Sequence, residues 1–376
     1  MAERSSRGLA DVVAASTAIS DIDGQAGRLF YRGYDIHDIA GRVSFEECLY
    51  LLQRGDLPTS AQLDALTTEL GEGREIGGTS ESLLPNDAAS GTPMEALRTL
   101  VSALSVDDPD AGDSSPEANR RKATRLVAQM PVLVAKYEAA RRGRTVPDPD
   151  PKLGIAGNFL YQITGERPTE RAAEIFDECL VLHADHTMNA STFTARVIAA
   201  TMSDMHSAVT GAMGALRGPL HGGANEAVMR TLSSIDGGVD GVETYVRAEL
   251  DAGRKLMGFG HRVYRTEDPR ATHLRRMSEE LAELTGNSRY YEMSRRMEDV
   301  VKDAKGLFPN VDFFAASVYH ALGVPHDMFT PVFAISRMSG WTAHVIEQHE
   351  DNRLIRPGSE YTGPRDRQWA PIDQRS

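Results

Sequence analysis

Gly218-Pro219-Leu220-His221-Gly222-Gly223-Ala224-Asn225-Glu226 places a histidine between a proline turn and two glycines, and helical patterns surround it in the chain. Further on, Phe259-Gly260-His261-Arg262 puts a second histidine directly after a glycine. Asn310-Val311-Asp312-Phe313 then puts a carboxylate at a predicted helix start. Small, flexible residues beside an ionisable one are typical of places where the chain approaches a ligand closely. The three segments therefore predict one composite site.

Helical signals extend over most of the chain. Ser44-Phe45-Glu46-Glu47 is a capping-box sequence that opens a helix ending at Gly55. Residues 17–32, with Asp23-Gly24 between two apolar pieces, predict a hairpin. Strands and helices do not alternate in the pattern, so we expect a nearly all-α protein rather than a doubly wound sheet. Spacings of three and four between apolar residues and local start signals predict the other helices at 58–70, 93–104, 118–142, 169–182, 191–216, 239–256, 268–284, 288–305, 308–322 and 332–345.

Composition narrows the class of protein. No apolar run approaches the length of a membrane span, and the polar start of the chain lacks the core of a signal peptide. The two cysteines, Cys48 and Cys179, predict neither a disulfide framework nor a cysteine metal site, which fits a reducing cytoplasm. A net charge of −13 argues against nucleic-acid binding. The acidic, lysine-poor composition fits either adaptation to high salt or a gene that favours arginine over lysine, and both stay open.

Common cofactor motifs are missing from the sequence. There is no phosphate-binding G-x-x-x-x-G-K-[ST] loop, and Gly258-Phe259-Gly260 lacks the third glycine and the preceding strand of a dinucleotide fingerprint. His183-Ala184-Asp185-His186 places two histidines three apart on a predicted helix, without a further ligand nearby. We therefore expect no metal site.

Two histidines, one carboxylate and several arginines suit one kind of chemistry. A carboxylate base with a hydrogen-bonding histidine can remove a proton from carbon next to a carbonyl group. Planar guanidinium groups, such as Arg337 within an apolar helix, bind carboxylates through two hydrogen bonds. From the residues alone, each histidine could instead be a buried structural group. The carboxylate could serve only the helix dipole, and Arg356 could be an ordinary surface residue.

Through a series of motifs in a fixed order, the sequence resembles the citrate synthase family, of the short bacterial and archaeal kind. The resemblance covers nearly the whole length and includes 2-methylcitrate synthases. Its motifs are Ile19–Gly24, Tyr31–Asp35, Asn158–Tyr161, His183–Thr192, Gly218–Glu226, Met257–Tyr264, Asn310–Asp312, Arg337–His344 and Arg353–Pro357.

The resemblance implies a role for each candidate residue. Asp312 would take a methyl proton from acetyl-CoA, His221 would hydrogen-bond the thioester oxygen, and His261 would polarise the carbonyl of oxaloacetate. Four residues would bind the carboxylates of oxaloacetate and citrate, with Arg356 reaching across a homodimer: His186, Arg270, Arg337 and Arg356. Five more would line the coenzyme A pocket: Lys255, Leu256, Met257, Gly258 and Phe259. His183 would either support His186 from the same helix face or be structural. No cofactor is expected, because acetyl-CoA is a substrate.

The family also implies an architecture and its rivals. A large helical domain, 1–222 and 326–376 with a C-terminal arm, would carry a small helical domain, 223–325, with the active site in the cleft between them. The start of the chain lacks the extension of NADH-inhibited relatives, so that inhibition is not expected. The alternatives are a 2-methylcitrate synthase using propionyl-CoA, a helical binding module that has lost activity, and a citryl-CoA lyase domain. The intact set His221, His261 and Asp312 favours an enzyme.

Overall fold

A small sheet near the start of the chain is the only one in the computed structural model, which describes residues 7–9 and 12–375. Its strands are β1 Ser20–Asp23, β2 Arg28–Tyr31 and β3 Tyr34–Asp35, paired antiparallel in that order. The predicted hairpin is therefore confirmed, with residues 24–27 as its turn. The polar start, where no signal peptide is predicted, lies mostly outside the described residues.

Helices are the main regular elements of the rest of the described chain, as expected. The first ten are α1 Ile36–Ile39, α2 Phe45–Arg54, α3 Ser60–Glu72, α4 Gly78–Ser90, α5 Pro93–Asp107, α6 Pro116–Arg141, α7 Ile155–Thr164, α8 Glu170–His183, α9 Ala190–Ala199 and α10 Met205–Leu216. The others are α11 Ala224–Ser234, α12 Val239–Asp251, α13 Pro269–Thr285, α14 Arg289–Lys305, α15 Val311–Ala321 and α16 Phe329–Glu350. Short 3₁₀ turns occur at Arg7–Leu9, His326–Met328 and Ile372–Gln374. No helix of the described chain is long and apolar enough to cross a membrane.

Local chemistry sets the helix ends. The Ser44 hydroxyl accepts from the Glu47 amide at 3.1 Å, and the Glu47 carboxylate accepts from the Ser44 amide at 2.7 Å. The predicted capping box of α2 is thus present, and α2 ends at Gly55 with a left-handed φ of 97°. Asp268 caps α13 with Pro269 in its first turn, and Asn310 caps α15. These two caps bring the predicted site residues Arg270 and Asp312 to helix starts.

The core is built around α16. Every residue of α16 from Phe329 to Ile346 is buried, because α2, α6, α8, α9 and α10 pack around it. The helices α11 to α15 pack on one another and meet the first group through α8 and α16. The division into domains at 1–222, 223–325 and 326–376 stays a prediction.

Three sequence predictions are wrong in detail. The single helix expected at 191–216 is two helices, broken where Met202 adopts a left-handed φ of 62° and Asp204 caps α10. The helices α4 and α11 were not predicted, and the sequence of α4 has no continuous apolar stripe. His186 does not share a helix face with His183, because α8 ends at His183 and His186 lies in the loop that follows.

Candidate active site

The glycine loop after α12 meets the start of α15. The Gly260 amide donates to the Phe308 carbonyl at 2.9 Å, and the Asn310 amide donates to the Gly258 carbonyl at 2.9 Å. The Asn310 side chain accepts from the Asp312 amide at 3.1 Å and donates to the Gly260 carbonyl at 3.0 Å. A Cβ at Gly258, where φ is +85°, would lie 2.7 Å from a Val228 methyl, so this close approach requires glycine. The second and third predicted segments are therefore joined.

His261 is oriented by the backbone that follows it. Its Nδ1 accepts from the Val263 amide at 3.0 Å and from the Tyr264 amide at 3.1 Å. Burial, assisted by the charge of Arg270, lowers the pKa of His261 to about 4, so the ring is neutral near pH 7. A neutral ring with an accepting Nδ1 carries its proton on Nε2. His261 thus presents a fixed hydrogen-bond donor.

His186 lies against His261. The ring centroids are 5.3 Å apart in an edge-to-face arrangement, and His186 Nε2 is 3.2 Å from the Tyr264 hydroxyl. Burial lowers the pKa of His186 well below its ordinary value, and the charge of Arg270 adds to this. His183 instead donates Nδ1–H to the Cys179 carbonyl at 2.7 Å and packs edge-on against Phe333, as a buried structural residue would.

His221 belongs to a hydrogen-bonded group that sequence reasoning missed. Its Nε2 is 2.8 Å from the Ser191 hydroxyl, which accepts from Trp341 Nε1 at 3.1 Å and lies 2.8 Å from the Asn189 side-chain oxygen. Burial, followed by the charge of Arg337, lowers the pKa of His221 to about 4. The spacing in sequence between Ser191 and Trp341 gives no signal of this contact.

Arg270 forms a buried ion pair with Asp268. Its Nε and Nη2 donate to the two Asp268 oxygens at 2.9 and 2.7 Å, and Arg270 is only 2% exposed. Burial opposes the charge, but the Asp268 carboxylate holds the pKa of Arg270 above its ordinary value. Asp268 was not among the predicted site residues, although Asp before Pro269 is a helix-start signal that could have marked it.

Arg337 supplies a second buried guanidinium. Its Nε donates to the His183 carbonyl at 2.8 Å, and its guanidinium carbon lies 4.7 Å from the centre of the Phe333 ring. Burial lowers the pKa of Arg337 to about 10, so it stays charged at neutral pH. Its charge acts on both His221 and Asp312.

Asp312 is the carboxylate among these groups. Its Oδ1 is buried and has no hydrogen-bond partner among the described residues. Burial raises the pKa of Asp312 to about 7, the charge of Asp268 adds to this effect, and the charges of Arg270 and Arg337 oppose it. The balance leaves a carboxyl that can gain or lose a proton near neutral pH.

The remaining predicted residues lie at the edge of this cluster or away from it. The coenzyme A candidates run from exposed Lys255 through half-buried Leu256 and Met257 to Phe259, whose ring packs 4.5 Å from Phe313 beside Asp312. Arg356 is exposed on the segment after α16 and lines a cleft with residues 14–18. Within this chain the structure does not bring Arg356 to the histidines.

The arrangement combines a base of near-neutral pKa, neutral histidine donors and two buried guanidinium groups. Such a set can remove a proton from carbon next to a carbonyl group, hold the oxyanion that forms, and bind a dicarboxylate. Among the described residues, no group of three or more His, Cys, Asp or Glu side chains could hold a metal ion.

Comparisons with known proteins point to the same family over nearly the whole chain. A family model described as citrate synthase, C-terminal domain, matches residues 8–358. Citrate synthase 2 of Bacillus subtilis is 50% identical, over 98% of this chain and 99% of that protein. 2-Methylcitrate synthase 2 of Corynebacterium glutamicum is 41% identical, over 98% and 97%. The citrate synthase of Thermoplasma acidophilum, solved as a ternary complex with carboxymethyl coenzyme A and oxaloacetate, superposes with a TM-score of 0.93 at 33% identity, over 99% of this chain and 100% of that chain.

Proposed function

The chain belongs to the citrate synthase family and is an enzyme of that family, and we propose that Asp312, His221 and His261 carry its reaction. The reaction is the condensation of acetyl-CoA with oxaloacetate and water to citrate and CoA. The observation that supports these roles is the state of Asp312. Its Oδ1 is buried without a hydrogen-bond partner among the described residues, and its pKa is about 7 although the charges of Arg270 and Arg337 act to lower it.

Asp312 removes a proton from the methyl group of acetyl-CoA. A carboxylate of ordinary pKa would be a poor base for so weak a carbon acid, and efficient proton transfer needs a pKa near the working pH. Burial supplies that increase. Its position in the first turn of α15 favours the anion, so the proton leaves again after the reaction.

His221 stabilises the enol or enolate that this proton transfer creates. To donate to the thioester oxygen it needs a proton on Nδ1, and its Nε2 must then accept from the Ser191 hydroxyl. The Asn189 side-chain oxygen has an alternative donor in the Thr192 amide at 3.1 Å, which frees the Ser191 proton for His221. A neutral donor held in a water-excluded site stabilises developing negative charge without reorganisation.

His261 acts on the other substrate. Its Nε2–H polarises the carbonyl of oxaloacetate and the enol carbon attacks the carbonyl carbon. The oxygen takes the Nε2 proton of His261 to become the hydroxyl of citryl-CoA, and solvent later returns a proton to the ring. Water then hydrolyses the thioester. Because the two backbone amides at Nδ1 fix the donor, His261 needs no change of tautomer before the carbon–carbon bond forms.

The carboxylates of oxaloacetate bind to Arg270, Arg337 and His186. Arg270 uses Nε and Nη2 for Asp268, so its remaining Nη1 faces the substrate, while Arg337 uses only Nε within the described chain. The segment Lys255–Phe259 holds coenzyme A, with its backbone beside the start of α15. Closure of a small domain, 223–325, over both substrates keeps water out until condensation is complete.

We further propose a homodimer in the cytoplasm that supplies citrate to the tricarboxylic acid cycle. Arg356 is exposed on a segment that extends past α16, as a residue offered to a partner subunit would be. In the dimer it completes the carboxylate site of the other chain. The charge of −13 also makes a requirement for salt worth testing.

The first test replaces the base. Asp312→Asn should lower kcat by at least about 100-fold, the lower end of what a general base contributes, while oxaloacetate binding measured by calorimetry persists. Asp303→Asn, which removes an exposed carboxylate of α14, is the matched control and should keep full activity. Near-normal turnover by Asp312→Asn would exclude Asp312 as the base.

The acyl substrate needs its own test, since a 2-methylcitrate synthase is among the relatives. One methylene in a pocket is worth about 1–3 kcal/mol, or roughly 10–200-fold in kcat/KM. We expect acetyl-CoA to be preferred over propionyl-CoA with oxaloacetate by that margin at every salt concentration of a series from low to molar KCl. A preference for propionyl-CoA would assign the chain to the alternative activity.

A further inference from the structure

Tyr264 contacts both histidines of the oxaloacetate site at once. Its hydroxyl lies 3.2 Å from His186 Nε2, and its backbone amide donates to His261 Nδ1 at 3.1 Å. Its ring centre is 5.6 Å from that of His186 and 4.6 Å from that of His261. Tyr264 is only 3% exposed, so these contacts are held in a packed environment.

The hydroxyl contact decides which nitrogen of His186 is a donor. Nothing else in the described chain hydrogen-bonds to this hydroxyl. A buried neutral imidazole has one donor and one acceptor nitrogen. If Tyr264 donates to Nε2, the proton of His186 stands on Nδ1, which has no partner in the described chain and is free to donate to a substrate carboxylate.

We propose that Tyr264 is a positioning residue that fixes the tautomer and orientation of His186 through its hydroxyl and of His261 through its amide. The inference rests on the proposed binding of oxaloacetate by these two histidines. It assigns the two contacts different consequences, since the hydroxyl governs substrate binding and the amide governs carbonyl polarisation.

The loop that carries Tyr264 is itself held by the hairpin turn near the start of the chain. The Arg265 amide donates to the Gly24 carbonyl at 2.9 Å. A Cβ at Gly24 would lie 2.5 Å from the Val263 carbonyl oxygen, and the Val263 amide is the other donor to His261 Nδ1. An alanine at Gly24 would therefore displace the support of His261 without removing any polar group.

The test separates the two contacts by steady-state kinetics. Tyr264→Phe removes only the hydroxyl, so KM for oxaloacetate should rise roughly three- to tenfold, the value of one hydrogen bond. Its kcat and its KM for acetyl-CoA should stay within about twofold of wild type, since the amide donor to His261 remains. Tyr34→Phe removes a hydroxyl bonded to Asp56 and should change neither constant.

Gly24→Ala tests the amide side. It should lower kcat more than it raises either KM, whereas Gly112→Ala, where a Cβ meets nothing within 4 Å, should be neutral. An unchanged KM for oxaloacetate in Tyr264→Phe, or equal rises in KM for both substrates together with a loss of thermal stability, would overturn the inference. A wild-type protein that forms no citrate would instead overturn the proposed function.

Discussion

Replacing Asp312 by Asn should stabilise the protein above neutral pH while it removes activity. Folding places this carboxyl in a buried position where Oδ1 has no hydrogen-bond partner. The folded protein therefore holds a proton that the unfolded chain has already lost. Asparagine has nearly the same shape and no charge to bury, so it removes this cost.

The magnitude follows from the pKa. Burial raises the pKa of Asp312 from an ordinary 3.8 to about 7, net of the opposing charges of Arg270 and Arg337. Each pKa unit corresponds to about 1.4 kcal/mol, so ionising Asp312 costs the folded state about 4 kcal/mol. The contribution of Asp312 to the free energy of unfolding is greatest below pH 4 and falls as the pH rises to 7, where the carboxyl of the folded protein also ionises. For a chain of this length, about 4 kcal/mol corresponds to roughly 5 °C in Tm.

The assay is thermal unfolding of wild type, Asp312→Asn and the control Asp303→Asn between pH 4 and 8.5. Contributions of all other groups cancel in the difference between wild type and variant. We expect that difference to be small at pH 4, to grow in favour of Asp312→Asn up to pH 7, and then to level off. A difference independent of pH, or growth in favour of wild type, would refute a raised pKa for Asp312.

Three further predictions use other parts of the site. Arg356→Ala and His261→Ala should each be nearly inactive. If a site spans two chains, mixed and reassociated subunits of the two variants should recover about a quarter of wild-type activity. No recovery would place Arg356 outside the partner's site. Gly340→Ala puts a Cβ 2.4 Å from a backbone carbonyl oxygen, so it should lower the free energy of unfolding, measured with denaturant, by about 1–3 kcal/mol. The control Gly214→Ala, where a Cβ meets nothing within 4 Å, should not lower it. The rate with saturating substrates should rise with pH as Asp312 loses its proton, and a rate that falls from pH 6 to 8 would contradict its role as base.

Local signals were enough to predict much of the fold. Ser44 and Glu47 mark a helix start because the side chain of each accepts a hydrogen bond from the backbone amide of the other. Gly55 ends the helix because it adopts a left-handed φ at no steric cost. The break between α9 and α10 was missed because alanine-rich sequence on both sides continues the helical pattern. Asp204, which caps α10 by accepting from the Ser207 amide at 2.9 Å, was the available signal.

Some residues of the candidate site could likewise be predicted from local sequence, and others could not. The segments around His221, His261 and Asp312 could be picked out because glycines and caps leave a local pattern. Ser191 and Trp341 could not, since their hydrogen bond joins residues 150 positions apart and depends on how α9 packs against α16. Local sequence reveals where a backbone must turn, but it does not show which polar side chains meet after helices pack.

Asp268 shows how one such missed residue connects the parts of the site. Its Oδ1 accepts from the Arg270 amide at 3.0 Å, and its Oδ2 accepts from the Val311 amide at 3.2 Å, so one buried carboxylate ties the start of α13 to the start of α15. The same charge raises the pKa of Asp312, whereas Arg270 lowers it. A dicarboxylate bound to Arg270 and Arg337 adds negative charge beside Asp312 and raises its proton affinity further. With the roles proposed above, the base is therefore strongest when oxaloacetate is already in place, because the groups proposed to bind one substrate also set the basicity of the residue proposed to activate the other.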